Sequence, residues 1–570
     1  MPHDSSRAGV TRVTRVTRRR AVLLAMFLAV GPLAAQTPAD LPRMTGSVEL
    51  SLVNLDVVVT GKDGKPIHGL TAADFEVVHG GKPVAITNFR EEGAPEALPP
   101  AGALVTPTPP APTPAPEAPP APVPSIGEQP RPKRHVVLFL DRLALPDPKE
   151  RQEVFDALKG LLRKGLQPGD EAMIVTWQRA IRTVHPFTGD LAKLELALDA
   201  AAGAMVRPGE ELAEIEKLAA DDAWFESTGV GDSTMSRSLD AMQAFQEIKG
   251  KMAAMKGLIG MMTGMEGRKA LVLVSRRLSR MAGAEFGDRG VDTRNLIDAL
   301  TEAANAGGVT LHTIYAAAFE AELPSAAGSR NLNPRLNSPS AVSRVQAAWS
   351  NEMATLSMLA ERTGGVLASS TKEASVFAGQ VAEDLGSWYS LGYPAPGGAK
   401  VADVSVKVKR PGATVRTRHS VVEKKPEEQM KDRVLANLFR WDQNARLPIA
   451  VLVKPATVVK KGKVRTPIEI QIPLGRLVLL PTSRGAKGAV SIFVVSAGPR
   501  GEFSDVVRDR REVEVAAADL ETAKGSYVTY QIDVDTPTAE TKISIGVYDE
   551  VGREAGFRVV TRVASEKTRR

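Results

Sequence analysis

The sequence predicts an α/β protein: a doubly wound, mostly parallel sheet, flanked by a small N-terminal β module and a C-terminal all-β sandwich. Three observations predict it. From His135 onward, short apolar runs alternate with amphipathic stretches of helical period, the pattern of βα units on a parallel sheet. From Leu447 to Val563 strand-like runs succeed one another with turn residues at regular intervals, as in a sandwich of about seven or eight strands. Residues 91–134 hold 15 of the 40 prolines and set the N-terminal residues apart from the α/β region.

Residues 1–35 read as a signal peptide: six arginines, an unbroken apolar run Ala21–Val30, the breakers Gly31 and Pro32, and small residues before Gln36. The apolar run is too short to span a bilayer, which takes ~20 residues. Residues 46–90 read as a small β module, with VELSLVNLDVVVT alternating and Gly80-Gly81 as a two-residue hairpin turn. The proline-rich stretch is an extended spacer, able to reach roughly 100 Å at ~3.1 Å per residue.

The α/β domain is expected over 135–420. Its strands are HVVLFLD, EAMIVTW, RAIRTVHPF, GRKALVLVS, VTLHTIYA and the short VLAS. Its helices are PDPKERQEVFDALKGLLRKG, GDLAKLELALDAAAG, VDTRNLIDALTEAANAGG, AAWSNEMATLSMLAERTGG and TKEASVFAGQVAEDLGS, with Asp or Pro at starts and Gly at stops. Residues 205–262 read as a helical, Met-rich insertion, whose Met spacing is that of a core stripe. Residues 320–345 read as an irregular loop. WYSLGYP, ADVSVKVKRPG and TVRTRHS are strand-like. Residues 421–446 read as a charged connector with a short helix in DRVLANLFRWD, and 447–565 as the sandwich.

Charge and composition exclude several functions. The net charge is +7, but the first 35 residues hold six Arg and one Asp, so the rest is near +2 and has no concentrated basic groove for nucleic acid. The absence of cysteine excludes disulfides, thiol catalysis and Cys-ligated metals. The seven histidines (His3, His68, His79, His135, His185, His312 and His419) are scattered, with no pair at metal-ligand spacing. His135 and His312 fall at or in buried strands and read as core residues. There is no nucleophile elbow, P-loop or HExxH, and Gly364-Gly365 reads as a helix stop, not a phosphate cradle. No segment after the signal is long and apolar enough to span a membrane.

Five stretches, in order, carry a family resemblance: VNLDVVVTGKDGKPIHGLTAADFEVVHGGKPVAITNF, GRKALVLVS, LAERTGG, DLGSWYSLGYP and VSVKVKRPGATVRTRHS. Over roughly residues 46–420 the chain resembles the VWFA-related Acidobacterial domain family. The resemblance implies a von Willebrand factor A-like fold and an exported or cell-envelope setting. It also implies a place to look for Mg²⁺, because A-type domains hold the ion at the carboxyl ends of the strands with a first loop Asp-x-Ser-x-Ser or Asp-x-Ser-x-Gly and a later Ser-Asp-Gly. Here the first loop is Asp141-Arg142-Leu143-Ala144-Leu145 and the later one Ser275-Arg276-Arg277. Leucine cannot coordinate a hard cation, and arginine in place of the acid opposes one. Thr228 and Thr234 are middle-loop candidates by location only.

These readings predict no metal, no cofactor and no catalytic residue. The surviving acid Asp141 is expected to end its strand, cap the next helix or pair with Arg142 or Arg276. Asp141, Arg142, Arg276 and Arg277 are the partner-binding candidates, the arginines forming a positive rim for acidic groups. The expected function is a non-enzymatic, exported protein-binding or scaffold protein of the bacterial cell envelope, in the periplasm or on the cell surface. The alternatives are a metal-dependent A-type adhesin or sensor with a rearranged cation site, and a hydrolase with an unrecognised site.

Overall fold

The computed structural model describes residues 52–93, 132–142, 144–145, 147–178, 180–205, 233–283, 290–316, 339–396, 401–422, 424–438, 446–460, 462–498, 504–537 and 540–563. The segment read as a signal peptide and nearly all of the proline-rich segment lie outside these residues, as does most of the loop expected at 320–345. Two compact units are formed, Leu52–Arg440 and one that contains Trp441–Arg570.

The first unit begins with four strands: β1 (Leu52–Thr60), β2 (Phe75–His79), β3 (Lys82–Val84) and β4 (Asn88–Glu92). Gly80 and Gly81 both take positive φ (56° and 78°) in the β2–β3 hairpin, the backbone that a type I′ turn requires and that glycine adopts without a Cβ clash.

An α/β layer comes next. Its strands are β5 (Arg134–Asp141), β6 (Glu171–Trp177), β7 (Ile181–Thr188) and β8 (Arg268–Ser275), the two-residue strands β9 (Met281–Ala282) and β10 (Val291–Asp292), then β11 (Val309–Tyr315) and β12 (Leu367–Ala368). Six of them form one sheet in the order β12-β11-β8-β5-β6-β7, parallel except for the antiparallel edge pair β6–β7. The helices are α1 (Pro148–Gly165), α2 (Leu191–Gly203), α3 (Ser233–Thr263), α4 (Arg294–Gly307), α5 (Pro339–Thr363) and α6 (Ala374–Gly386). Asp147 caps α1 by accepting from the Lys149 and Glu150 amides at 2.9 Å, and Gly308, at φ 62°, ends α4.

Side chains alternate across the sheet into two apolar cores. Val136, Leu138 and Leu140 pack with Leu158 and Leu161 of α1, Leu198 of α2 and Val381 of α6. Val137 and Phe139 pack with Met252, Met255 and Ile259 of α3, Leu300 of α4 and Leu359 of α5. The Met-rich stretch read as an insertion is thus, over 233–263, one helix of this layer. Its sulfur side chains fill the core because they adapt to irregular gaps.

The unit closes with β13 (Trp388–Pro394), β14 (Val401–Val408), β15 (Thr414–Arg416), β16 (Ser420–Val422) and α7 (Pro426–Asn437). Helix α7 starts inside the stretch read as a charged connector, with Pro at its first turn. The strands of residues 52–92 pair with strands near the end of the unit. β1 pairs with β13 and β15, and β2 with β14, making two four-stranded sheets around Leu55, Val57, Phe75, Tyr389, Leu391 and Tyr393. A 45-residue piece has too little apolar area to fold alone, so the chain's two ends of the unit complete each other. This β layer is fastened to the starting end of β8 and to α6. The Arg268 guanidinium lies 4.7 Å from the Trp388 ring centroid and 3.7 Å from Asp56 Oδ2, and Arg416 grips Asp384 through two bonds of 2.5 and 2.6 Å.

The second unit is antiparallel. β17 (Ala450–Val453), β18 (Thr457–Lys460), β19 (Lys463–Pro473) and β23 (Tyr527–Pro537) form one sheet; β20 (Leu480–Thr482), β21 (Gly485–Ala497), β22 (Val507–Ala516), β24 (Thr541–Asp549) and β25 (Ala555–Arg562) form the other. Strand β19 alternates strictly, with Val464, Thr466, Ile468, Ile470 and Ile472 buried. Both sheets share one core, including Ile468, Val490, Ile492 and Ile545.

Candidate functional site

The site expected from the sequence lies at the carboxyl ends of β5 and β8, the end of an open parallel sheet where ligands generally bind. Asp141 is the last residue of β5 and Ser275 the last of β8. Neighbouring parallel strands bring their ends together, and the Ser275 hydroxyl stands 3.0 Å from Asp141 Oδ2.

The third member comes from α3 and was not singled out in the sequence. Helix α3 buries Ile248, Met252, Met255, Ile259 and Met262, and Lys251 lies on this same stripe. Its stem runs along the apolar face, and its ammonium reaches the strand ends. Nζ donates to Asp141 Oδ2 at 2.5 Å, to the Arg276 carbonyl at 3.1 Å and to Ser275 Oγ at 3.4 Å. Three ammonium hydrogens thus meet three oxygens, and the Ser275 hydroxyl stands 3.0 Å from both Asp141 Oδ2 and the Arg276 carbonyl, either of which accepts its proton. Lys251 is 1% exposed and Asp141 2%, so this is a fully buried ion pair. Asp141 ends its strand, as expected, and meets Lys251 and Ser275 there.

The arginines are also engaged. Arg142 donates through Nε to the Ala204 carbonyl at 2.6 Å and through a terminal nitrogen to Gln178 Oε1. Arg276 shares the Tyr315 hydroxyl with Glu352, and the Arg277 backbone amide donates to the Glu352 carboxylate. Burial raises the Glu352 carboxyl above its usual range, against the pull of Arg276 and Arg277; burial likewise raises the Tyr315 hydroxyl. Arg277 takes φ 57°, uncommon without glycine. Helix α5 pins the loop beyond Arg277: Asn351 accepts from the Arg280 amide at 3.2 Å and donates to Ser279 Oγ at 2.8 Å.

The residues present do not fit a divalent cation. The space between Asp141 and Ser275 is filled by an ammonium, Leu145 of the first loop is a fully buried member of the apolar core, and Arg276 stands where the later loop would need an acid. Leu143 and Thr228 lie outside the described residues, and Thr234 lies in the first turn of α3. Among the described residues no three His, Asp or Glu side chains gather as a metal site. His135 and His312 are buried, as their strands predicted; His135 Nε2 lies 3.1 Å from the Glu266 carbonyl and His312 Nδ1 accepts from the Val366 amide at 3.3 Å. Among the described residues, no helix is long and apolar enough to cross a membrane.

No protein-family model matches the chain, and no curated protein matches it. Solved structures to which it is similar include von Willebrand factor A domains. One is a von Willebrand factor type A protein from Catenulispora acidiphila, 11% identical over 77% of this chain and 68% of that one, with a TM-score of 0.23. Another is the vWF domain of a type V pili tip protein from Porphyromonas gingivalis, 11% identical over 44% of this chain and 94% of that one, TM-score 0.23. A third is an aerotolerance-related membrane protein from Bacteroides fragilis, 11% identical over 43% of this chain and 98% of that one, TM-score 0.21. Likenesses of this size carry no functional argument, and the function rests on the chain's own residues.

Proposed function

We propose that this chain is an exported, non-enzymatic binding or scaffold protein of the bacterial cell envelope, with a doubly wound A-type domain that offers the carboxyl ends of its sheet strands to a protein partner. One observation carries the reading. The acid that would hold a metal, or serve as a general base, is closed off by Lys251 and Ser275 in a buried, fully hydrogen-bonded cluster. A group in that state neither receives a proton from a substrate nor bridges to a partner's carboxylate. What remains at this end of the sheet is a set of half-buried arginines: Arg142 and Arg276, held by side-chain hydrogen bonds, and Arg277, anchored through its backbone amide. Residues 1–35 would direct export, and the proline-rich segment would act as a spacer.

The test immobilises the full chain, passes solubilised envelope proteins over it, and repeats the capture with the Arg276→Glu/Arg277→Glu variant and with EDTA. The expected result is a specific protein retained by the native chain with or without EDTA, and lost on charge reversal. Equal capture by the variant would remove the arginine rim from the reading. Capture abolished by EDTA would favour the metal-dependent adhesin instead.

A further inference from the structure

Three oxygens of different origin converge on one point in the α/β layer: a carboxylate (Asp141 Oδ2), a hydroxyl (Ser275 Oγ) and a backbone carbonyl (Arg276 O), at 2.5, 3.4 and 3.1 Å from a single nitrogen. Such an all-oxygen set, drawn from two strand ends, is what hard cations select. The point is occupied by the chain's own Lys251 ammonium, delivered on a core helix and shut away from solvent. We infer that Lys251 is the resident cation of this site: a tethered ammonium that has taken the place of an exchangeable divalent ion and clamps β5, β8 and α3 together permanently.

The chemistry of the surroundings agrees. A tethered cation loses no association entropy and needs no vacant coordination positions, so the loop can carry Leu145 in the core instead of an oxygen ligand. One positive charge balances the one carboxylate at the site, whereas a divalent ion would leave an excess charge beside Arg276. The Arg276 guanidinium meanwhile bonds the Tyr315 hydroxyl and acts on the Glu352 carboxylate. The arrangement of these strand ends therefore does not respond to divalent cations at all. The inference does not depend on the identity, or the existence, of a partner.

The experiment uses the full chain, with Mn²⁺ as the probe, read by calorimetric titration and by thermal unfolding with Mn²⁺ or EDTA at neutral pH. The native protein is expected to give no saturable heat and an unchanged Tm. Lys251→Ala opens the volume of the butylammonium while leaving the three oxygens. It is expected to unfold several degrees lower, and to gain a single saturable Mn²⁺ site that recovers part of that loss. Adding Asp141→Asn to Lys251→Ala should abolish the Mn²⁺ response. Should Lys251→Ala not fold, the shape-conserving cycle of Asp141→Asn, Lys251→Met and the double variant decides. Restoring neutrality should make the double variant more stable than additivity of the singles predicts, by roughly tenfold in the unfolding equilibrium. Saturable Mn²⁺ binding by the native chain, a folded Lys251→Ala without a Mn²⁺ response, or an additive cycle would overturn the inference.

Discussion

The energetics of the site turn on single residues. Asp141 and Lys251 are each buried to within 2% of full enclosure, so removing either charge strands the other in a low-dielectric core. Asp141→Asn is expected to cost about 3–5 kcal/mol in urea unfolding, the range for breaking a buried pair. Ser275→Ala removes a hydroxyl that bonds the Asp141 carboxylate while leaving the ion pair intact, and should cost about 2 kcal/mol. Similar losses for the two would mean that the ion pair has no special weight. The sequence made Asp141 legible because an acid at the end of an apolar strand is conspicuous. Lys251 was not legible in the same way: it is a charge set on the Met and Ile stripe of α3, and nothing in a single sequence says which acid such a lysine will meet.

Elements impose their own tests. Helix α5 ends in Gly364 at φ 80°, and a Cβ on the next residue, Gly365, would lie 2.0 Å from the Leu311 carbonyl of β11. Only glycine lets the helix end sit so close to the strand backbone, so Gly365→Ala should cost about 3 kcal/mol by chemical denaturation. An unchanged midpoint would rule out that close approach. The same strand holds His312 neutral: burial, reinforced by Arg416 and Arg268, depresses its pKa well below the ordinary 6.5. The unfolded chain therefore binds a proton that the folded chain refuses. The associated stability is fully present above pH 6.5 and is lost as pH falls through and below that value. Unfolding free energy measured from pH 7.5 downward should decline more steeply for the native chain than for His312→Gln; parallel curves would contradict it.

For the unit Leu52–Arg440, the decisive feature is that its β layer is assembled from both ends of the segment. A chain started at residue 132 keeps every helix and strand of the α/β sheet but loses β1 to β4. It exposes the edges of β13 and β14, together with Tyr389, Leu391 and Tyr393, now fully buried. Unpaired edges beside apolar rings are a template for association. This truncation should recover from expression as aggregate, whereas a chain started at residue 46 should remain monomeric in size-exclusion chromatography. A soluble, monomeric 132-start protein would show the β layer to be dispensable.

Local pattern in the sequence was enough for whatever depends on neighbours along the chain. The alternation of strand and helix from residue 135, the Gly80-Gly81 turn, the caps and stops of the helices and the strict two-residue period of β19 are all set by periodicity and residue chemistry within a few positions. Tertiary structure decided what depends on residues far apart. It joined β1 to β13 across more than 300 positions, drew the Met-rich stretch into the helix layer, and brought Lys251 to Asp141 over a separation of 110. The physical reason is the same in each case. Apolar periodicity specifies which face an element buries, but the partner of a strand edge or of a buried charge is selected only when the whole core closes around it.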